Sequence, residues 1–506
     1  MPKATGIIAG LLVFAGIALI PLDPVSFPLS AQLAAAVTGL MVIWWITEAI
    51  PIYATALVPL VLFPLLGILS PTEAAVSYAD QTVFLFMGGF FIAAAMMRWN
   101  LHRRIALNVI TIAGSKTKNL VLGFMVATAF ISMWISNTAT AMMMIPIALA
   151  LVSTLMPGTM TDKKVGQNGQ RQFAICLLLG VAYAATIGGM ATLIGTPPNG
   201  ILVAQLASIF PEAPEIDFFS WMMFALPFMV LFLMITWFWL TSVTNRNMPK
   251  VIPGGRELIS QELKELGPLS TGERWTLLIF LSVAFAWIFR TPKEIGSLII
   301  PGITTYVPGV TDATIAMCGA LILFMLPVDL KKGIFTLDWE TAKSIHWGIL
   351  ILFGGGICLS QGIIQSGLAD LIANSFAILS VFPIVIIIFL IVIIITFLNE
   401  VISNTAMASI MIPLMAITAV SMEINPLMLM VPAALASSLG FMLPVGTPPN
   451  TIAYGTGYIS TKEMARAGFA LNIIGCILIT LFMVLIIPAA LGITPELPAW
   501  AVIPVK

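Results

Sequence analysis

Apolar runs follow one another along this chain, parted by short polar joints. Full-length runs lie near 5–21, 29–47, 52–69, 172–210, 218–241, 275–290, 312–328, 347–365 and 466–490. About 20 apolar residues cross a bilayer core as a helix, so each run is predicted to span. The runs are continuous rather than alternating, which excludes the roughly 10-residue strands of an outer-membrane barrel. The longest polar joint, 242–274, is mixed in charge and punctuated by Pro and Gly, and it divides the chain into two halves.

Two pairs of apolar runs are too short to cross. The first pair is 121–135 and 139–152, with Ser136, Asn137 and Thr138 between them; the second is 384–398 and 406–420, with Ser403, Asn404 and Thr405 close by. Each pair predicts one over-long span or a re-entrant hairpin with Ser-Asn-Thr at its tip. Non-helical backbone persists at membrane depth only when it is buried in protein or lines a wet cavity. Two further runs are broken in mid-span by Gly-Thr-Pro-Pro-Asn, at 195–199 and 446–450. Consecutive prolines remove N–H donors and interrupt a helix.

These features repeat. Leu85 and Leu352, Ser136 and Ser403, and Pro146 and Pro413 share one offset of 267 residues, and the two Gly-Thr-Pro-Pro-Asn runs share an offset of 251. The polar insert 156–172 accounts for the difference. Broken helices in corresponding positions of two halves point to a transporter binding site. Lys and Arg mark cytoplasmic joints. Arg98, Arg103, Arg104, Lys116 and Lys118 form one cluster, Lys163, Lys164 and Arg171 a second, and 246–274 a third. The positions matching the first cluster in the second half are nearly uncharged, which predicts that this half is inserted upside down.

Composition agrees and narrows the field. The chain of 506 residues is 59% hydrophobic and 9% charged, against about 25% charged in soluble domains; its mean hydropathy is +1.06. The formal net charge is zero, which leaves no basic field to hold nucleic acid. Cys176, Cys318, Cys358 and Cys476 sit singly in apolar runs and are expected in the core. His102 and His346 are not spaced as metal ligands, and neither accompanies the motifs, which argues against an intramembrane enzyme. The first run, with only Lys3 before it, is expected to be a retained span rather than a cleaved signal. Gly88–Gly89 and Gly354–Gly356 are expected to allow close packing, since no nucleotide-loop context follows. Glu48 reads as a helix cap rather than a proton-relay carboxylate.

The two motif pairs carry complementary chemistry. Ser, Asn and Thr favour N-caps. A helix starting at each tip directs free N–H groups and the positive end of its dipole at the site, which suits a carboxylate. Carbonyls freed at the proline breaks are hard oxygen ligands for Na⁺. Two cation sites flanking one anion site follow. Neither motif contains Lys or Arg, so co-bound cations are expected to balance a divalent anion.

Paired Ser-Asn-Thr tips with paired Gly-Thr-Pro-Pro breaks resemble the divalent anion/sodium symporter (DASS, INDY-like) family over nearly the whole chain. The resemblance implies an all-α homodimer with inverted repeats, about eleven spans and two re-entrant hairpins per protomer, working as an elevator in a cell membrane, the inner membrane in a bacterium. By position, 1–118 and 275–377 match the scaffold, and 119–241 and 378–506 the transport part. Asn137, Thr138, Asn404 and Thr405 would bind substrate carboxylates, beside Thr196, Pro197, Thr447 and Pro448. Ser132, Ser136, Asn137 and Gly195 would hold one Na⁺, and Asn399, Ile402, Asn404 and Gly446 a second. Asn399 departs from the family pattern, where Thr stands. Partners are therefore a dicarboxylate, Na⁺ and the lipid bilayer.

The resemblance implies import of a C4-dicarboxylate such as succinate, malate or fumarate. Two similar tips suit two carboxylates, whereas sulfate has one centre. The alternatives are a sodium-independent exchanger, a sulfate or tricarboxylate carrier, and a passive anion channel. A cation/proton antiporter would want carboxylates at both tips; Glu400 lies beside the second, but Met133 holds the matching place in the first.

Overall fold

The computed structural model describes residues 3–25, 27–155, 168–252, 254–295, 298–376 and 381–501. Most of the insert 156–172, with Lys163 and Lys164, lies outside the described residues. The chain is helical apart from two short antiparallel pairs, Lys293–Ile295 with Leu298–Ile300 and Pro327–Asp329 with Ile334–Phe335. Seven described helices are long and apolar enough to cross a membrane, among them Leu29–Thr47, Phe218–Thr244, Trp347–Gln365 and Thr461–Leu485. Shorter apolar helices include Lys3–Leu19, Ile52–Leu65 and Asp312–Met325. This is a multi-pass membrane protein.

Contacts between helix ends sort them into two faces. On one, Arg98 pairs with Asp338, Arg104 with Glu273 and Arg171 with Glu463, each at 2.6 Å. The Thr117 N–H donates to the Lys250 carbonyl there. On the other face, Ser30 Oγ donates to the Ser366 carbonyl at 3.0 Å, and Arg290 pairs with Asp312 at 2.7 Å. Among the described Lys and Arg, only Arg290 and Lys293 lie on this second face. The positive-inside rule makes the first face cytoplasmic. Trp99 and Ser366 match across the 267-residue offset, yet Trp99 donates to the Thr336 carbonyl on the first face while Ser366 sits on the second. The two halves are thus inverted, as the charge asymmetry predicts.

Small residues let the helices close up. A Cβ on Gly88 would stand 2.6 Å from the backbone of Ala316, so helices Gln81–Arg98 and Asp312–Met325 meet backbone to backbone. Glu48 is exposed in a left-handed conformation (φ 46°) at the end of Leu29–Thr47, which fits a cap. Cys176, Cys358 and Cys476 are buried as expected. Cys318 is exposed, because it falls on the outward side of Asp312–Met325.

Candidate functional site: two hairpin tips and two helix breaks

The first hairpin consists of helices Thr117–Ser132 and Asn137–Leu155. The second consists of Ile384–Leu398 and Asn404–Ser421. The returning helices are longer than their apolar runs, because Asn137 and Asn404 already belong to the first turn. Pro146 and Pro413 lie inside these helices without ending them.

The capping expectation holds only in part. Ser136 Oγ lies 3.4 Å from the Ala139 N–H, a marginal bond, and Ser403 makes no side-chain cap at all. The first-turn N–H groups of Asn404–Ser421 are therefore left for a ligand. Ser136, Asn137, Thr138, Ser403 and Asn404 are half-buried, while Thr405 is buried.

Around the first tip, oxygens converge. Ser132 Oγ lies 2.7 Å from Asn137 Oδ1 and 2.6 Å from the Ala185 carbonyl. One hydroxyl proton serves two acceptors, so the spot is rich in oxygen and short of hydrogen. A Cβ on Gly189 would stand 2.3 Å from Asn137 Oδ1 and 3.0 Å from the Gly195 carbonyl. Four predicted ligands are accordingly close together: Ser132, Asn137 and Gly195 around Gly189, with Ser136 in the adjoining turn.

The second tip repeats the geometry with different atoms. Asn399 occupies the place of Ser132. Its Nδ2 donates to Asn404 Oδ1 at 3.0 Å and to the Leu439 carbonyl at 3.3 Å. Its Oδ1 is buried with no hydrogen-bond partner. Ile402 is buried in the same turn. A Cβ on Gly440 would meet Thr447 and Asn399 side chains at 3.3 and 3.4 Å, and Gly446 follows within the same loop.

Each break separates two helices: Asn168–Gly189 from Pro197–Ile209, and Leu427–Ala436 from Pro448–Gly455. Thr196 and Thr447 are extended, and the prolines occupy the first helical positions, where a missing N–H costs nothing. The carbonyls at the break are not all free, contrary to the simplest reading of two prolines. Asn199 Nδ2 reaches the carbonyls of Gly189, Met190 and Thr192 at 3.2, 3.3 and 2.7 Å. Asn450 Nδ2 reaches those of Gly440 and Leu443 at 2.9 and 3.1 Å. Gly195 and Gly446 are outside both sets. Thr447 Oγ1 is buried with no hydrogen-bond partner.

The helices that follow the motifs cross over between halves. Asn137–Leu155 packs on Pro448–Gly455, and Pro197–Ile209 packs on Asn404–Ser421. Each tip itself meets the break of its own half: Asn137 lies beside Gly189 and Gly195, and Asn399 beside Gly440 and Thr447. The two ends of the arrangement differ in exposure. Val401 and Val445 are 61% and 75% exposed. Trp134, two residues before Ser136, instead packs against Phe218 and Phe280, with ring centroids 5.9 and 4.8 Å away. Asn199 and Asn450 close their motifs, and the sequence alone assigns them no role. Their shared offset of 251 residues is the signal that marks them. Among the described residues, no group of three or more His, Cys, Asp or Glu could hold a metal ion; the cation-binding candidates are neutral oxygens.

Known proteins resemble this chain in sequence and in fold. The family description "Sodium:sulfate symporter transmembrane region" matches residues 2–490. The sodium-dependent dicarboxylate transporter SdcS of Staphylococcus saprophyticus is 41% identical over 497 residues, covering 98% of this chain and 93% of that protein. SdcS of Staphylococcus aureus is 42% identical over 498 residues, covering 97% and 93%. Among solved structures, MtrF of Neisseria gonorrhoeae, described as one of a class of antimetabolite efflux pumps, aligns with TM-score 0.55 at 12% identity, over 82% of this chain and 84% of its own. The YdaH transporter of Alcanivorax borkumensis aligns with TM-score 0.54 at 13% identity, over 84% and 89%. These two similarities concern the fold alone.

Proposed function

Because the chain belongs to the sodium:sulfate symporter family, we propose that it is a sodium-coupled carrier that imports a C4-dicarboxylate such as succinate, malate or fumarate. It is a transporter, not an enzyme. The SdcS relatives, named as sodium-dependent dicarboxylate transporters, favour that substrate over sulfate. The observation that carries the reading is the duplicated pairing of a hairpin tip with a helix break, once in each half. Each half supplies a helix start aimed at an anion and a cluster of neutral oxygens fit for a small cation. Asn137, Thr138, Asn404 and Thr405 bind the two carboxylates, flanked by Thr196, Pro197, Thr447 and Pro448. Ser132, Ser136, Asn137 and Gly195 hold one Na⁺; Asn399, Ile402, Asn404 and Gly446 hold the other.

Asn137–Leu155 packs on Pro448–Gly455, and Pro197–Ile209 on Asn404–Ser421, which supports 119–241 and 378–506 acting as one transport part. In this proposal that part moves as an elevator against the scaffold 1–118 and 275–377, in a homodimer. A second reading, sodium-independent exchange, draws on one observation. The Asn399 amide places an N–H donor against Asn404 Oδ1, where the first half has a hydroxyl. The same amide, however, keeps Oδ1 buried and unpartnered, and that atom remains to meet a cation.

The test is radiolabelled succinate uptake into proteoliposomes with Na⁺, Li⁺ or K⁺ outside, and malate, citrate or sulfate as competitors. Uphill accumulation driven by a Na⁺ gradient, blocked by malate, is expected. Equal net uptake in K⁺ would overturn sodium coupling. Downhill equilibration without accumulation would indicate a channel.

A further inference from the structure

Glu400 is 3% exposed in the turn of the second hairpin. Its Oε1 accepts hydrogen bonds from the Met442 N–H at 2.9 Å and from Asn472 Nδ2 at 2.6 Å. Its Oε2 accepts from the Leu443 N–H at 2.8 Å, and lies 3.0 Å from where a Cβ on Gly446 would stand. The carboxylate thus ties the second tip to the second break and lies beside Gly446, a proposed ligand of the second cation. Its three partners are neutral N–H donors.

The first half makes the corresponding tie without a charge. Met133 stands at the matching position. The Thr192 hydroxyl donates to the Met133 carbonyl, and the Gly195 N–H bonds back to Thr192 Oγ1 at 3.1 Å. Holding tip to break therefore does not require a carboxylate, and a buried charge is costly unless something opposite in sign compensates it. The surroundings supply unsatisfied oxygens instead: Asn399 Oδ1, Thr447 Oγ1, Asn450 Oδ1 and Asn472 Oδ1 are buried without hydrogen-bond partners. Oxygens with no donor beside a carboxylate suit an alkali cation.

We propose that Glu400 is the positioning residue of the second cation site. It fixes the 442–446 loop so that the Gly446 carbonyl faces Asn399 and Asn404, and it supplies the negative charge that draws a monovalent cation there. The Asn399 substitution, which gives the site an amide in place of a hydroxyl, is then offset by a charge that the first site lacks. This rests on the sodium-coupled reading above.

The test compares the full-length wild type with Glu400→Gln and Glu400→Asp. It measures Na⁺-dependent succinate uptake and the Na⁺-induced rise in melting temperature of the detergent-solubilised protein. Gln keeps the shape but turns one acceptor into a donor facing N–H groups. For Glu400→Gln, the half-saturating Na⁺ is expected to rise about tenfold or more, the scale of a lost charge interaction in a partly buried site. Its Hill coefficient is expected to fall toward one as the first site works alone. Half-saturating succinate, measured at saturating Na⁺, is expected to change much less. Glu400→Asp, which keeps the charge at shorter reach, is expected to recover part of the Na⁺ response. If Glu400→Gln does not fold, Glu400→Asp decides: a weakened Na⁺ response supports the proposal. A lowered melting temperature with wild-type Na⁺ response in either variant assigns Glu400 to stability alone and overturns it. A wild type indifferent to Na⁺ overturns the transport reading and this assignment together.

Discussion

Asn199 and Asn450, 251 residues apart, hold the two helix breaks in the same way. Each side-chain amide donates to main-chain carbonyls of the loop before it. The targets Gly189 and Thr192 in one half correspond to Gly440 and Leu443 in the other. The inverted repeat therefore holds at the level of single hydrogen bonds. Replacing either Asn by Ala leaves buried carbonyls without a donor, at about 1–3 kcal/mol each. Asn199→Asp is expected to be worse, because a carboxylate brings negative charge and no N–H to the same carbonyls. Melting of the purified protein and succinate uptake should both fall. An unchanged melting temperature in Asn199→Asp would show that these bonds do not hold the break.

Gly189 tests the close approach at the first tip. Its added Cβ would stand 2.3 Å from Asn137 Oδ1 and 3.0 Å from the Gly195 carbonyl, both proposed cation ligands. Gly189→Ala is expected to displace them, raising the half-saturating Na⁺ by at least about tenfold, equivalent to about 1.4 kcal/mol. Gly16 is the control: nothing lies within 4 Å of its added Cβ. Gly16→Ala should leave uptake and Na⁺ dependence as they are. Equal behaviour of the two variants would remove Gly189 from the site.

Much of this arrangement is legible in the sequence, for physical reasons that can be named. Apolar runs must be helical in a bilayer because no water satisfies their backbone, so spans and hairpins can be read directly. The 267-residue offset alone pairs Ser132 with Asn399, and in the fold each of them contacts the Asn of its own tip. What stays hidden depends on direction. Prolines announce that the helix breaks, but not that Asn199 and Asn450 occupy the freed carbonyls. In the sequence Glu400 stands out only as the carboxylate beside one tip with no counterpart at the other, whereas in the fold its carboxylate is engaged by Met442, Leu443 and Asn472. Those partners come from a loop and a helix far along the chain, and no local pattern marks them.

Asn137 and Asn404 should be indispensable for transport, since each combines a first-turn backbone N–H with a side chain at the tip. Asn137→Ala also removes the oxygen that Ser132 contacts at 2.7 Å, and Asn404→Ala the one that Asn399 contacts at 3.0 Å. Loss of uptake is expected in both, with protein still inserted and monodisperse. The half-buried side chains make modest stability effects the expectation, within about 1 kcal/mol. Near-normal uptake in both variants would take these residues out of the binding site.

Arg290 offers a test on the opposite face. Its side chain is 4% exposed and pairs with Asp312 at 2.7 Å, Glu215 at 2.9 Å and Asp217 at 3.7 Å. The attraction is one of charge and proximity, as neither Nε nor Nη2 makes an aligned hydrogen bond. Asp312 also accepts the Phe218 N–H at 2.8 Å and, through its carbonyl, the Trp287 indole N–H at 3.0 Å. Phe218 stacks between Trp287 and Trp134, so the cluster caps an aromatic column that reaches the first tip. Arg290→Met would leave Asp312 uncompensated in the interior. That loss is expected to cost about 3–5 kcal/mol, because a lone buried charge is worse than no pair. Arg290→Lys, a point charge without the planar fork, should fall between. The double variant Arg290→Met with Asp312→Leu removes both charges and should recover much of the lost stability. Glu215, with its side chain 49% exposed, can turn to water, while Asp217 keeps its bonds from Ser220 and Thr291. Thermal melts of the three variants in detergent decide the matter. A double variant no more stable than Arg290→Met would mean that Arg290 holds this end of the bundle by packing rather than by balancing Asp312.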